Sequence, residues 1–268
     1  MPYQTQSFAI NEQSLHFIDQ GQGPALFFIH GFLGDSQQWQ AQIAELSQSH
    51  RCIAVDLWAH GQSSAMPSGT TSLVTITQHC LSLLTYLNID QCAVIGNGTG
   101  GAIAAEMVIA QPKTVSKLVI ANSFIGFEPQ VNSAKYQSWV DKVAADKQCN
   151  DELATTITNM FFTDISESNE FAIKFKQTLM GLQEQQIAQL TLFAPLVFYK
   201  RDTLELVEQF TLPCLIIIGA QNKLRTPLEA YLMHDCISGS RQVQMSNAGH
   251  MGNQEQADEF TQLLTSFL

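Results

Sequence analysis

Charge is the scarcest property of this 268-residue chain, because only 14% of its residues are Asp, Glu, Lys or Arg, against roughly 25% in an average soluble protein. The few charges are unbalanced as well: 13 Lys and Arg stand against 24 Asp and Glu, which gives a formal net charge of −11. A surface this acidic repels phosphate backbones and anionic lipid headgroups. We therefore expect neither a nucleic acid nor a membrane surface as a partner.

Long apolar runs and paired metal ligands are missing too. No stretch approaches the roughly 18–20 apolar residues that a bilayer-spanning helix needs, and the opening M-P-Y-Q-T-Q-S-F lacks the basic and apolar regions of a signal peptide. The six cysteines are widely spaced without a C-x-x-C pair, and no H-x-x-x-H pair or carboxylate cluster occurs. These absences argue against a disulfide framework and a zinc site, so the expectation is a cytoplasmic protein with no metal and no cofactor.

Hydrophobic residues, in contrast, make up 45% of the chain, enough for a large buried core. Short apolar runs typical of buried parallel strands are Ala25–His30, Cys52–Leu57, Ala93–Gly96, Lys117–Ala121 and Cys214–Gly219. Stretches with helical spacing lie between them: Ser36–Leu46, Thr71–Leu87, Gly101–Ala110 and Pro227–Cys236. This alternation predicts an α/β fold with a mostly parallel sheet of about eight strands, helices on both faces, and an edge hairpin formed by Tyr3–Ile10 and Leu15–Asp19.

The alternation stops between residues 124 and 199, which contain no strand-like run. This segment reads as several consecutive helices, namely Asn132–Lys147, Asp151–Phe162, Glu167–Met180 and Gln183–Phe193. Ligands of open α/β folds bind beyond the carboxyl ends of the strands, so an insertion there would cover the site. We predict a core domain of residues 1–123 and 200–268 with a helical cap of residues 124–199.

One strand–turn–helix segment carries the clearest chemical signal. Val94–Ala102 reads V-I-G-N-G-T-G-G-A and matches the nucleophile elbow G-x-S-x-G except at one position. Further motifs follow in a consistent order around it: His30-Gly31-Phe32, Asp56 to Ser63 (D-L-W-A-H-G-Q-S), Gly219 to Asn222 with Thr226-Pro227, and Ala248-Gly249-His250. In these motifs, their order and their spacing the chain resembles the α/β-hydrolase fold superfamily over nearly its whole length.

The resemblance assigns the catalytic positions, and two of them are altered. The nucleophile position holds Gly98 and the acid position holds Asn222, while the histidine position keeps His250. Some family members carry the acid one strand earlier, but there the chain reads Ala121-Asn122-Ser123. Asn222 can accept a hydrogen bond from the imidazole through its oxygen, or donate one through its amide nitrogen and favour the wrong tautomer.

The oxyanion hole, by the same resemblance, is intact. Its donors are the backbone N–H groups of Phe32 and Thr99, which survive side-chain substitution, and His30 and Gly31 belong to the same motif. Thr99 lies at the start of the predicted helix Gly101–Ala110, and the positive end of that helix favours an anion. Asn97 completes a G-N-x-x-G-G string similar to that of family members that cleave ester or carbon–carbon bonds.

The resemblance implies a hydrolase of a small, largely apolar ester, acyl compound or diketone that is inactive or strongly impaired as the chain stands. In a residual route, His250 would activate a water beside Gly98. One alternative is a non-catalytic protein that holds an apolar ligand in the capped pocket, and another is a scaffold in an assembly; the oligomeric state stays open. Gly98 reflects either natural loss of the triad or a deliberate substrate-trapping substitution, and the second loss at Asn222 favours natural loss.

Because Gly98 has no nucleophilic atom, we predict that fluorophosphonate probes will not label the protein and that activated aryl esters will give no burst. Digest mass spectrometry after incubation with the probe checks the first outcome. A modified peptide containing residues 97–101 would contradict the assignment of Gly98 to the nucleophile position.

Overall fold

The computed structural model of the chain describes residues 3–268 and contains an eight-stranded sheet. The strands lie in the order β1-β2-β4-β3-β5-β6-β7-β8. They span Gln6–Ile10 (β1), Gln13–Gln20 (β2), Ala25–Ile29 (β3), Arg51–Val55 (β4), Cys92–Asn97 (β5), Val115–Ala121 (β6), Cys214–Gly219 (β7) and Arg241–Met245 (β8). Strands β1 and β2 form an antiparallel edge hairpin, β2 runs antiparallel to β4, and the other neighbours are parallel. The predicted fold class is confirmed.

Helices cover both faces of the sheet, and because side chains alternate along each strand, neighbouring residues join different apolar clusters. Phe27 and Ile29 of β3 join the apolar cluster under α2 and α3, whereas Leu26 and Phe28 join the one under α1 and α11. The helices outside the long insertion are α1 (Gln40–Leu46), α2 (Leu73–Tyr86), α3 (Thr99–Ala110), α8 (Leu204–Val207), α9 (Pro227–Cys236), α10 (Gly252–Glu255) and α11 (Ala257–Phe267). Within residues 3–268, no helix combines the length and the hydropathy that a membrane crossing needs.

Three elements at the end of the chain, β8, α10 and α11, were not predicted from the sequence, nor was the short helix α8. Strand β8 lies at the sheet edge, where only Val243 and Met245 of its five residues are apolar, so its signal in the sequence is weak. Helix α11 carries a clear helical signal in the spacing of Phe260, Leu264 and Phe267, and its prediction was missed. The predicted helix Ser36–Leu46 also begins as a 3₁₀ turn before α1.

The long insertion between β6 and α8 consists of four helices: α4 (Gln130–Asp146), α5 (Asp151–Phe161), α6 (Glu170–Met180) and α7 (Glu184–Phe198). Helix α4 packs on α7, and α5 packs on α6. Helix α7 continues five residues beyond its predicted end at Phe193 and includes Pro195, although a proline inside a helix removes an N–H donor and its ring crowds the preceding turn. The division of the chain into a core and a cap stays a prediction.

Glycines bring the start of α3 against the ends of the neighbouring strands. A methyl group at Gly100 would lie 2.1 Å from the carbonyl oxygen of Ile29 in β3. A methyl group at Gly96 in β5 would lie 2.2 Å from the carbonyl oxygen of Gly100. Only hydrogen fits at these two positions, and this close packing fixes where the turn between β5 and α3 stands.

We predict that Gly100→Ala lowers the free energy of unfolding by at least about 3 kcal/mol, because backbone atoms must move to admit the methyl group. Gly239→Ala is the control: its methyl group would meet no atom within 4 Å, so only the strain of a positive φ, about 1 kcal/mol, remains. Urea denaturation of both variants measures the difference. Equal losses would show that the packing of α3 on β3 is looser than described.

Candidate active site

The turn between β5 and α3 keeps the geometry of a nucleophile elbow although its central residue has no side chain. Gly98 adopts φ +54° and ψ −122° at the N-cap of α3, and its N–H donates to the carbonyl oxygen of Ala121. A Cβ built on Gly98 would lie 3.0 Å from Nε2 of His250 and 3.5 Å from Cα of Gly31. The position that the sequence assigns to a nucleophile therefore faces the retained histidine.

His250 lies in the loop after β8 and is 5% exposed. Burial and the nearby positive charge of Arg225 lower the pKa of its imidazole to about 3. The ring is therefore neutral at physiological pH, so which of its nitrogens carries the single proton decides what the ring can do.

The hydrogen bonds of Asn222, the second altered position, indicate which ring nitrogen of His250 carries the proton. Its Oδ1 accepts the backbone N–H groups of Leu224 (2.9 Å) and Arg225 (3.1 Å). Its Nδ2 therefore faces the other way, 3.4 Å from Nδ1 of His250 and 3.1 Å from Oδ1 of Asn122. Of the two roles open to Asn222 from the sequence, this geometry favours the donor, and it favours the tautomer of His250 with the proton on Nε2.

Asn122, which stands at the alternative acid position, makes hydrogen bonds in this site that the sequence did not reveal. Its Oδ1 accepts the N–H of Gly219 (2.9 Å) as well as the amide of Asn222, and its Nδ2 donates to Oδ1 of Asn97 (3.2 Å). Asn97 in turn donates from Nδ2 to the carbonyl oxygen of His250 (3.4 Å). The side chain of Asn97 thus supports the histidine loop and does not line the cavity.

The two expected oxyanion donors both border the cavity. Thr99 is the first residue of α3, so its N–H has no intrahelical acceptor, and Phe32 follows the carboxyl end of β3. Gly31 brings this loop close to the elbow, since a methyl group there would lie 3.2 Å from the carbonyl oxygen of Asn97. These placements agree with the predicted oxyanion hole, whose function stays a prediction.

The side chain of His30 needs a correction, because it does not reach the cavity. Its Nδ1 lies 2.7 Å from the carbonyl oxygen of Gly31, and its Nε2 accepts the N–H of Leu57 at 2.8 Å. Both ring nitrogens are thus engaged with backbone, and His30 is fully buried. Its part in the site is to hold the loop that carries Phe32, and it does not bind a ligand itself.

A cavity of about 150 Å³ opens in front of the elbow. Gly98, Thr99 and His250 border it at one end, and most of the remaining wall is apolar. The insertion supplies Tyr136, Trp139, Val140, Val143, Ile157, Met160, Phe161, Leu179, Ile187, Leu190, Thr191, Val197 and Phe198. The helices of the insertion therefore lie over the candidate site, as expected of a cap.

Charged groups in the same wall were not predicted from the sequence. Arg225 pairs with Glu128 and with Glu229, the latter at 3.1 Å, and Lys200 donates to the carbonyl oxygen of Gly126. Burial, followed by repulsion from Arg225, lowers the pKa of Lys200 to about 8. Arg225 and Glu128 are separated by 97 positions in the chain, so no local motif could indicate their pairing.

We predict that Gly98→Ala lowers the free energy of unfolding by about 1–2 kcal/mol, because alanine is strained at φ +54°. The same change at an unstrained site usually stabilises a protein by about 0.4–1 kcal/mol. The sign of the shift in a denaturant midpoint therefore reports the conformation of the turn. A stabilised variant would mean that the elbow relaxes to a negative φ in solution.

Comparison with known proteins agrees with this geometry. A model of the alpha/beta hydrolase fold family matches residues 24–257. Over 252 residues the chain is 27% identical to 3-oxoadipate enol-lactonase 1 of Acinetobacter baylyi, covering 91% of this chain and 88% of that protein. One similar solved structure is the enol-lactonase from Burkholderia xenovorans LB400, with a TM-score of 0.87 and 20% identity over 98% of this chain and 99% of that one. Another is a thermophilic esterase from Thermogutta terrifontis with malate bound, with a TM-score of 0.85 and 21% identity over 98% of this chain and 97% of that one. The family match extends over most of the chain and includes the turn at Gly98: this protein belongs to the α/β-hydrolase fold family.

Proposed function

We propose that this protein binds a small, largely apolar ester, acyl compound or diketone with its oxygen beside Gly98, and hydrolyses it slowly or not at all. The observation that carries the proposal is the empty nucleophile position: Gly98 faces His250, but only hydrogen stands where a hydroxyl or thiol should be. The proposed donors for a carbonyl oxygen, the N–H groups of Phe32 and Thr99, are therefore present without a nucleophilic atom at residue 98.

The shape and lining of the cavity support an apolar ligand with one polar end. Aromatic and aliphatic side chains of the insertion form most of the wall, while Thr99 and His250 supply donors at the elbow. Burial of apolar ligand surface contributes roughly 25 cal/mol per Å². The family relatives named as an enol-lactonase and an esterase act, by those names, on bonds to an acyl carbon, and this chemistry fits the polar end.

Two losses weigh against efficient turnover. Without a nucleophilic side chain at Gly98, covalent catalysis cannot begin, and loss of a nucleophile costs on the order of 10⁶ in kcat in serine proteases. With its proton on Nε2, His250 offers no lone pair towards Gly98 and cannot act there as a base. What remains is the oxyanion hole and binding, which supply about 10³–10⁴ over water in proteases.

A weak hydrolase is the second candidate, because the space beside Gly98 favours it. The Cβ position lies 3.0 Å from Nε2 of His250, so a water can occupy the place of a hydroxyl. In this route His250 must first exchange its tautomer to take a proton from that water. The route therefore predicts slow hydrolysis that disappears in His250→Gln.

The restoration of the triad tests the proposal. We predict that Gly98→Ser combined with Asn222→Asp raises the hydrolysis of short and medium acyl p-nitrophenyl esters at least about 10²-fold, because nucleophile, base and acid then stand in the family arrangement. The assay compares the double variant with each single variant and with the parent protein.

The matched control adds His250→Gln to the double variant and should remove the gain. A folded double variant that stays inert across the ester panel would refute an acyl ligand at this site. Parent hydrolysis that is lost in His250→Gln would instead favour the weak hydrolase.

A further inference from the structure

Three asparagines close a ring of hydrogen bonds through His250. Asn97 donates to the carbonyl oxygen of His250 at 3.4 Å, and Asn122 donates to Asn97 at 3.2 Å. Asn222 donates to Asn122 at 3.1 Å and faces Nδ1 of His250 at 3.4 Å. Asn97 and Asn122 are at most 1% exposed, so water does not compete for these bonds.

Backbone groups fix the direction of every bond in this ring. Gly219 donates its N–H to Oδ1 of Asn122, and Leu224 and Arg225 donate theirs to Oδ1 of Asn222. An aspartate at position 222 would put a second acceptor oxygen about 3.1 Å from Oδ1 of Asn122. Buried acceptors that face each other are costly, so the ring suits an amide at this position and opposes a carboxylate.

With the ring in this orientation, the groups at the Gly98 end of the cavity are hydrogen-bond donors. Nε2–H of His250 points to the Gly98 side, and the N–H groups of Thr99 and Phe32 border the same cavity. The catalytic carboxylate of the family is absent from position 222, which removes a negative charge next to the imidazole. Arg225 lies near His250 but is paired with both Glu128 and Glu229, so the donors at Gly98, and not a net charge, carry the argument.

We infer that the ligand of this pocket is the carboxylate of an apolar acid, with its oxygens on the His250, Thr99 and Phe32 donors and its tail against the insertion helices. The inference rests on the proposed function, which puts the oxygen of the ligand beside Gly98. A carboxylate presents two charged acceptor oxygens, and bonds to a charged acceptor are roughly twice as strong as bonds to a neutral carbonyl. A cavity of about 150 Å³ holds a tail of about six carbons, the size of benzene.

The tautomer is tested by NMR of protein labelled with ¹⁵N in histidine. The signals of His250 are assigned by their loss in His250→Gln. At neutral pH we expect an unprotonated Nδ1 and a protonated Nε2 in the parent protein, and the reverse in Asn222→Asp, where the carboxylate accepts the proton of Nδ1. A protonated Nδ1 in the parent protein would overturn the inference.

The ligand class is tested by calorimetric titration with hexanoate, hexanamide and hexylammonium, which share a tail and differ in the head group. Hexanoate should bind at least about tenfold more tightly than hexanamide, and hexylammonium should not bind. Asn222→Asp should weaken hexanoate at least about tenfold, because it restores a negative charge beside the imidazole. The matched control is Asn247→Asp, which adds the same charge at an exposed position and should leave hexanoate binding unchanged.

The binding results distinguish failure of the carboxylate inference from failure of the proposed function. Hexanamide or methyl hexanoate that binds as tightly as hexanoate would overturn the carboxylate inference and leave the proposed function standing. No binding of hexanoate, hexanamide or methyl hexanoate would remove both. Should Asn222→Asp fail to fold, the head-group series and the tautomer of the parent protein still decide the question.

Discussion

The packing of the first turn of α3 against the ends of β3 and β5 is the constraint on which the rest of the site depends. The carbonyl oxygen of Ile29 lies where a methyl group of residue 100 would be, so the helix can begin there only with glycine. This contact sets Gly98 opposite His250 and brings the loop of Gly31 and Phe32 to the same place. The turn thus keeps the elbow geometry although Gly98 has no side chain.

The change at the centre is one of hydrogen-bond direction. In a complete triad an acid accepts from the imidazole, which then offers a lone pair to the nucleophile. Here the amide nitrogen of Asn222 faces Nδ1 of His250, a geometry that favours an imidazole with its proton on Nε2. Because Asn122 and the backbone of Leu224 and Arg225 complement this direction, the site looks adapted to the amide. In the proposed function, glycine at the nucleophile position and a donating Asn222 act together, and both favour binding of a ligand over its hydrolysis.

The insertion supplies most of the apolar wall of the cavity. Its helices line most of the cavity and carry few charges that face it, apart from Glu128 near its start, which pairs with Arg225 from the core. Thr163 also ties the insertion to the core, since its N–H and hydroxyl both donate to Glu255 at 2.6 Å. This lining favours the apolar ligand of the proposed function, with the polar end of that ligand at the elbow.

The sequence by itself determined the α/β fold, the edge hairpin and the positions of Gly98, Asn222 and His250, because these follow from local patterns: apolar runs, helical spacing and short motifs in a known order. It did not determine strand β8, whose edge position leaves little apolar signal, nor the cavity charges Arg225 and Glu128, which are distant in the chain. It left the role of Asn222 open and assigned His30 to the site. Only the tertiary structure decided these points. The orientation of the Asn222 side-chain amide depends on the backbone N–H groups around it. Whether the ring of His30 lines the cavity or bonds to backbone depends on packing between elements far apart in the sequence.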